Sequence, residues 1–197
     1  DDGGDRVGAP QPGASEPAAP GTVVVLPSTQ PAGPSGGVVS ATNAVEDGLA
    51  LETVVLFDGR DPTVFQSVPD NPVVFDGGAD GGFARISTSA GSPGTRLIIG
   101  RGAFERFTGR TIRIVVVARS TGYAPAGTFR FAYQSGRVLG PWITAEPTGE
   151  WRPYAGTWTV PSPRAGGPVN DVLLIEPGVP GDGSTVDIRS VRIEVLG

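Results

Sequence analysis

The sequence predicts an all-β protein, an antiparallel β-sandwich with an extended Pro/Gly-rich N-terminal arm. From about residue 52 onward, short runs of side chains alternate between apolar and polar, which is the two-residue period of a strand with one buried face. Turns rich in Gly, Pro, Asp and Ser separate nearly all of these runs, and only one short stretch, 102–107, is compatible with a helix. We therefore predict an arm over residues 1–50 and a β-sandwich domain over residues 51–197.

The arm, residues 1–50, contains 9 Gly, 7 Pro and no aromatic residue. Proline removes backbone hydrogen-bond donors and glycine raises the entropy lost on ordering, so this stretch cannot form a core of its own. The arm holds six acidic residues and one arginine, whereas residues 51–197 hold 14 acidic residues and 14 arginines. The whole net charge of −5 therefore lies in the arm.

One apolar run interrupts the arm, and it consists of Val23, Val24, Val25 and Leu26. Four β-formers between turn residues can add a strand to an exposed sheet edge, in this protein or in a partner. The alternative is a linker with an incidental apolar run. The first residues, DDGGDR, have neither the positive start nor the apolar stretch of a signal peptide, and we interpret them as the start of a mature chain whose targeting segment has been removed.

The predicted strands of the body follow one another closely. In the run TIRIVVVARS, Ile112, Ile114 and Val116 fall on one face, while Arg113 and Val115 fall on the other. The candidate strands are residues 53–57, 72–75, 83–88, 95–99, 111–120, 127–135, 142–145, 154–160, 171–176 and 185–196. Nine or ten short strands with turns between them indicate an antiparallel sandwich.

The residue types that are missing exclude several classes of chemistry. The chain has no Cys and no His, which excludes disulfides, thiolate nucleophiles, Ser-His-Asp catalysis and a typical zinc site. Arg supplies all 15 cations, a habit of GC-rich genomes that favours a bacterial source, and the arginines form no basic stripe. Nucleic-acid binding is therefore not expected. No apolar run approaches the roughly 20 residues that a membrane span needs, so we expect no transmembrane segment in this chain.

Several short motifs follow one another along the body. They are an early FDG, an ARIS strand, the long TIRIVVVARS strand, an aromatic strand, EWRPYAGTWTVP, DVLLIE and a final TVDIRSVRIEVL. In this order they resemble the carbohydrate-binding-module-like (galactose-binding-like) β-sandwich jelly-roll superfamily over about residues 52–197. The matching positions are Trp151 and Tyr154, Val160 and Pro161, Leu173 to Ile175, and Asp187. The resemblance implies an antiparallel β-sandwich jelly roll behind the extended arm, and it is more specific for this fold than for sugar binding.

Two of the three tryptophans fall in the segment EWRPYAGTWTVP, residues 150–161. Tyr154, Trp158 and Val160 share one parity along the predicted strand, so we expect them to face the core. Trp151 has the opposite parity and lies before Pro153, where strand pairing is interrupted. Trp151 is therefore the surface candidate of this segment.

A sugar site needs exposed aromatic faces, which stack on the C–H groups of a pyranose ring, and planar polar groups, which read the hydroxyls. The candidates are Trp142, Trp151 and Tyr123, with Arg130 and Gln134 as polar companions. The alternative is that Trp142 fills an edge of the core and that Tyr123 is an unengaged turn residue. Aromatic residues make up only 7% of the chain, which favours this alternative.

In the absence of Cys and His, carboxylates are the groups left for metal binding or catalysis. The resemblance implies a structural calcium ion near the last strand, where Asp187 lies, and the segment DGGADGG adds Asp76 and Asp80. Turn chemistry explains these two residues at least as well, so no cofactor is required. A glycosidase needs two acids across a cleft, but the available acids lie in separate loop-like contexts, and we expect no catalytic residue and no enzyme activity. These acids are Glu105, Glu146 and Glu150.

Two functions from different classes remain. The sequence favours a non-catalytic structural or accessory subunit outside the cytoplasm, periplasmic or secreted, that docks on other protein subunits of a larger assembly through its sandwich and its arm. Membrane association would come through those partners or through a removed N-terminal segment. The second function is a carbohydrate-binding module that recognises a polysaccharide through its exposed aromatic residues.

Overall fold

A computed structural model of the protein describes residues 39–40, 49–78, 81–89, 91, 94–164, 170–178 and 181–197. Most of the predicted arm, including the run from Val23 to Leu26, lies outside the described residues. The described residues form two packed β-sheets and one short helix. The predicted fold class, an antiparallel β-sandwich jelly roll, is confirmed, while the boundary at residue 50 stays a prediction.

The secondary structure follows the period-two pattern of the sequence closely. In chain order the elements are β1 Val39–Ser40, β2 Ala50–Phe57, a 3-10 turn Pro62–Val64, β3 Phe65–Gln66, β4 Val73–Asp76, β5 Phe83–Ser87, β6 Thr95–Ile99, α1 Arg101–Phe107, β7 Thr111–Arg119, β8 Phe129–Ser135, β9 Val138–Leu139, β10 Ile143–Ala145, β11 Arg152–Thr159, β12 Asp171–Pro177 and β13 Thr185–Leu196. Each predicted segment contains one of the longer strands. Only β1, β3 and β9 were not predicted, because two residues are too few to show an alternation.

The strands pair in two sheets. Sheet A has the order β1-β10-β8-β12-β6-β3, with β9 also beside β8, and sheet B has the order β11-β7-β13-β5-β4, with β2 also beside β13. These pairings are antiparallel except for that of β1 with β10, where Val39 and Ser40 run parallel to Ile143 and Thr144. Two residues of the predicted arm therefore pair with the body's own sheet.

The core fills the space between the two sheets. The rings of Phe129 in sheet A and Tyr154 in sheet B meet edge to face, with their centroids 5.3 Å apart. Val160 is buried, and Trp158 packs on the ring of Tyr133 with a centroid distance of 5.5 Å while part of its surface stays exposed. The predicted inward orientation of Tyr154, Trp158 and Val160 is confirmed.

The helix α1 matches the stretch that the sequence marked as compatible with a helix. It is short and packs on the core through Phe104 and Phe107, which are both buried. Arg164 stacks over the ring of Phe104 and forms an ion pair with Asp171, whose carboxylate also accepts a hydrogen bond of 2.8 Å from the hydroxyl of Tyr133. Burial, together with this hydrogen bond to a carboxylate, raises the pKa of Tyr133 far above its ordinary value.

Within the part of the chain that the structure describes, no helix has the length and apolar character that crossing a membrane requires.

Candidate functional site

The residues predicted to bind sugar lie on two opposite sides of the sandwich. Trp142, Arg130 and Gln134 lie on the outer surface of sheet A, because their parity is opposite to that of the core residues in β8 and β10. Trp151 lies beside β7 on the outer surface of sheet B, and Tyr123 is fully exposed in the loop between β7 and β8. The five residues therefore do not form one binding platform.

The outer surface of sheet A, here called the sheet A face, is crossed by the ring of Trp142. The pairing of β8 with β12 places Ala132 opposite Leu174, and both side chains are buried although they point away from the core. A Cβ atom on Gly94 would lie 3.7 Å from the Cη2 atom of Trp142 and 3.7 Å from Leu174, so the indole reaches from β10 across β8 and β12 to the start of β6. Gly94 has a φ of +87°, which favours glycine at this close approach.

A charged pair lies next to this ring. Arg130 and Glu176 face each other across β8 and β12, and the Nε and Nη2 atoms of Arg130 donate hydrogen bonds of 2.9 and 2.6 Å to the Oε2 atom of Glu176. The guanidinium carbon of Arg130 also lies 4.4 Å from the centroid of the Trp142 ring, at cation–π distance. Arg130 thus links the carboxylate to the aromatic ring.

Glu176 is the unusual member of this group. Its side chain is only 1% exposed, and no described residue donates a hydrogen bond to its second oxygen, Oε1. A buried acceptor without a partner costs about 1 to 3 kcal/mol, and more when it is charged. The Arg130 side chain keeps 37% of its surface exposed, so the ion pair lies at the edge of the solvent.

The remainder of the sheet A face is mixed, because the exposed Arg96 lies opposite Leu174 among apolar side chains. The side chain of Gln134 is turned to its own hairpin, because its Nε2 atom donates a hydrogen bond of 2.9 Å to the carbonyl oxygen of Gly136. Val172 lies opposite Gln134, and Leu139, on the neighbouring β9, is about half exposed. Gln134 therefore supports the hairpin in this structure, and the apolar side chains of Val172 and Leu139 flank it on the neighbouring strands.

The outer surface of sheet B, here called the sheet B face, joins Trp151 to a cluster of arginines. The ring of Trp151 lies 5.8 Å from that of Phe83, and the guanidinium carbon of Arg119 lies 4.2 Å from the Trp151 centroid and 5.1 Å from the Phe83 centroid. Arg85 lies 5.5 Å from Phe83, and Arg189 lies 5.8 Å from Trp151. Guanidinium groups therefore stack against both of these rings.

Asp187 lies under these arginines and is fully buried. Its Oδ1 atom accepts a hydrogen bond of 2.6 Å from Arg85, and its Oδ2 atom accepts hydrogen bonds from Arg85, Arg119 and Thr121 at 3.0, 3.1 and 2.9 Å. This donor set does not fit the calcium ion that the resemblance implied, since two guanidinium groups already occupy the carboxylate and repel a cation. In the described part of the chain, no group of three or more His, Cys, Asp or Glu side chains could hold a metal ion, and Asp80 lies outside that part.

The acids considered for a glycosidase pair are all exposed. Glu105 forms an ion pair with Arg101 one turn away on α1, and Glu150 lies 3.5 Å from Arg152. Glu146 lies in the loop after β10. Their exposure and their local partners are those of ordinary surface residues.

No family of known sequences matches the chain, and no curated protein matches it either. Several solved structures are nevertheless similar to it. A xylan-binding domain of CBM family 22 is similar with a TM-score of 0.53 and 16% identity, over 77% of this chain and 97% of that one. The CBM22-1 xylan-binding domain from Paenibacillus barcinonensis gives 0.52 and 9%, over 78% and 98%. The family 11 carbohydrate-binding module of a cellulosomal cellulase from Clostridium thermocellum gives 0.51 and 11%, over 75% and 96%.

These structures are all carbohydrate-binding modules, and at such low identity their likeness shows the fold, a β-sandwich jelly roll. The resemblance inferred from the sequence motifs is therefore confirmed at the level of the fold. A shared fold does not identify ligand-binding residues, which depend on the side chains of this chain.

Sequence reasoning missed Glu176 as a candidate. The strand DVLLIE is apolar on both faces, so its alternation did not show that Val172, Leu174 and Glu176 share the outer side. The available signal was the parity of Glu176 with that outer side, together with an arginine on a neighbouring strand. The pairing of β8 with β12, which brings Arg130 opposite Glu176, is not visible in the sequence.

Proposed function

We propose that this protein binds a polysaccharide, without catalysis, on the sheet A face. The observation that carries the proposal is the buried Oε1 atom of Glu176, a charged acceptor to which no described residue donates, on a carboxylate that Arg130 links to the ring of Trp142. A buried polar atom without a partner requires an explanation, and a ligand that donates to it is one. A sugar hydroxyl supplies the missing donor and can also accept a hydrogen bond from Arg130.

The surroundings of Glu176 suit a sugar chain. The C–H faces of a pyranose can pack on Trp142 and on the apolar side chains of Val172 and Leu139, while hydroxyl groups reach the Arg130–Glu176 pair. A hydrogen bond to a charged group contributes about 1.5 to 3 kcal/mol. Apolar packing would therefore supply affinity, and the charged pair would orient the sugar.

The structural neighbours support the class of ligand. Two of them are described as xylan-binding domains, and carbohydrate-binding modules are non-catalytic binding units that act outside cells. We accordingly propose an extracytoplasmic location. The neighbours give no support to the accessory subunit that the sequence favoured first, and its docking run lies outside the described residues. That role stays a prediction, and deletion of residues 1–50 would test it by releasing the protein from a native complex.

Affinity electrophoresis tests the sugar-binding proposal with gels that contain xylan, mixed-linkage β-glucan or starch. We expect the full chain to be retarded by at least one of these polymers, and Trp142→Ala to abolish the retardation. Tyr123→Ala is the control, because it removes a fully exposed aromatic ring that lies in the loop between β7 and β8, outside the sheet A face. Absence of retardation on a broad polysaccharide panel, or equal loss in both variants with unchanged melting temperatures, would sink the proposal.

A further inference from the structure

We propose that the sheet B face carries a second binding site, one that takes the carboxylate of a uronic-acid residue in an acidic polysaccharide. The site is a depression of about 320 Å³ whose lining includes Phe83, Trp151, Arg119, Arg189 and Asp76. It continues into a neighbouring depression of about 570 Å³, with which it shares Arg189 and several glycines. Pockets of this size are typical of small-ligand sites.

Arg119 is oriented so that its guanidinium group can bind an anion. Its Nε atom donates to Asp187 at 3.1 Å, and the rings of Trp151 and Phe83 fix the plane of its guanidinium. No described residue accepts a hydrogen bond from its Nη1 or Nη2 atoms. A planar guanidinium with two free amino groups matches the two oxygens of a carboxylate.

The charges around the depression favour an anion. Arg85 and Arg119 share a single buried carboxylate, that of Asp187, so this cluster of three charges is net positive, and Asp76 also lines the depression. Asp58 and Arg60, at the neighbouring depression, compensate each other at 3.9 Å. The rings of Phe83 and Trp151 cover part of the Arg119 guanidinium, and partial removal from water strengthens its attraction to a bound carboxylate.

The aromatic pair points to a ligand with apolar surface beside its charge. The C–H face of a sugar ring can pack on the exposed parts of Phe83 and Trp151 while its carboxylate meets the guanidinium. An acidic peptide offers the same carboxylate, and the choice of a polysaccharide rests on the proposed function. The experiment therefore includes a peptide probe.

Isothermal titration calorimetry of the full chain tests the site, with trigalacturonate as ligand. We expect binding that weakens about tenfold in Arg119→Lys, which keeps the charge beside Asp187 but removes the stacked pair of donors, an effect equal to about 1.4 kcal/mol. Arg189→Gln, at an exposed position, should weaken binding similarly. Arg101→Gln removes an exposed arginine of α1 that does not line the depression, and it should leave the affinity unchanged.

Trp142→Ala separates the two sites. It should leave trigalacturonate binding unchanged even though it abolishes binding on the sheet A face, so either proposal can fail while the other stands. The uronate site is refuted if the wild-type chain does not bind trigalacturonate, or if Trp142→Ala or Arg101→Gln weakens binding as much as Arg119→Lys does. Equal affinity for poly-glutamate, or displacement by inorganic phosphate at equal concentration, would also overturn the assignment to a sugar acid.

Discussion

The two outer faces of the sandwich each combine a tryptophan, arginine and a buried carboxylate, but they differ in the number of arginines. Each has a partly exposed tryptophan, an arginine stacked on it and a buried carboxylate. On the sheet B face, two arginines and a threonine fill both oxygens of Asp187. On the sheet A face, one arginine fills one oxygen of Glu176 and leaves the other without a described donor.

The difference lies in how many donors each buried carboxylate receives. A fully bonded carboxylate stabilises the fold and has nothing left for a ligand, whereas a half-bonded one raises the energy of the empty protein and lowers it again on binding. We therefore assign Asp187 a structural role and Glu176 a role in binding. On the sheet B face, the arginine rather than the carboxylate retains free hydrogen-bonding atoms.

The largest effect on stability is expected from Asp187→Ala. Removing this buried carboxylate leaves Arg85 and Arg119 without their common partner, and we expect the free energy of unfolding to fall by about 3 kcal/mol. Urea unfolding followed by tryptophan fluorescence measures this loss. Asp58→Ala is the matched control, because this exposed carboxylate meets Arg60 only at 3.9 Å and should cost less than about 0.5 kcal/mol. Equal losses in the two variants would show that the Asp187 cluster is not structural.

An intermediate effect is expected from Glu194→Gln, also on the sheet B face. The side chain of Glu194 accepts hydrogen bonds of 2.6 Å from Arg113 and 2.8 Å from Arg192, on different oxygens. Replacement should lower the free energy of unfolding by about 1 to 2 kcal/mol at neutral pH, because charge-assisted hydrogen bonds are lost. Urea midpoints at pH 7 measure this change.

The pH dependence of stability gives Glu194 a second test. Burial raises the pKa of Glu194, but the hydrogen bonds and charges of Arg192 and Arg113 outweigh it and hold the pKa below its ordinary value of 4.5. A lowered pKa in the folded state gives stability that is present above 4.5 and is lost as the pH falls through the folded-state value. Urea midpoints between about pH 5 and 3 should therefore fall less steeply in Glu194→Gln than in the wild type. Parallel curves would contradict this.

The smallest effect on stability is expected from Glu176→Gln. Glutamine keeps an oxygen for Arg130 and removes the unpartnered charged acceptor, so the free energy of unfolding should change by less than about 1 kcal/mol. The same variant should nevertheless weaken polysaccharide binding in affinity gels. A loss of stability as large as that of Asp187→Ala would mean that Glu176 is structural and would remove the contrast between the two faces.

The fold could be predicted from the sequence because its signal is local. Most long strands show their own alternation, and turn residues mark where they end, so each of the ten predicted segments overlaps a strand. The inward orientation of Tyr154 and Val160 follows from parity alone. The short strand β1 could not be predicted, since its two residues are held only by their pairing with β10.

The candidate sites could be predicted only in part, because parity does not tell which sheet a strand joins. Trp142 and Trp151 are both outward residues, yet they belong to opposite sheets. The partners of Asp187 are equally distant in sequence, since Arg85 lies 102 residues away and Arg119 lies 68 residues away. Contacts between residues so distant in sequence depend on the order of the strands in the sheet, which a single sequence does not reveal.

The body is only two sheets thick, and packed sheets lie about 10 Å apart. Ligands on its two outer surfaces would therefore sit back to back, and neither would obstruct the other. If the sheet A face binds a neutral polysaccharide and the sheet B face binds an acidic one, the protein would crosslink the two polymers. Adding the protein to a mixture of both should then raise the viscosity more than adding it to either polymer alone.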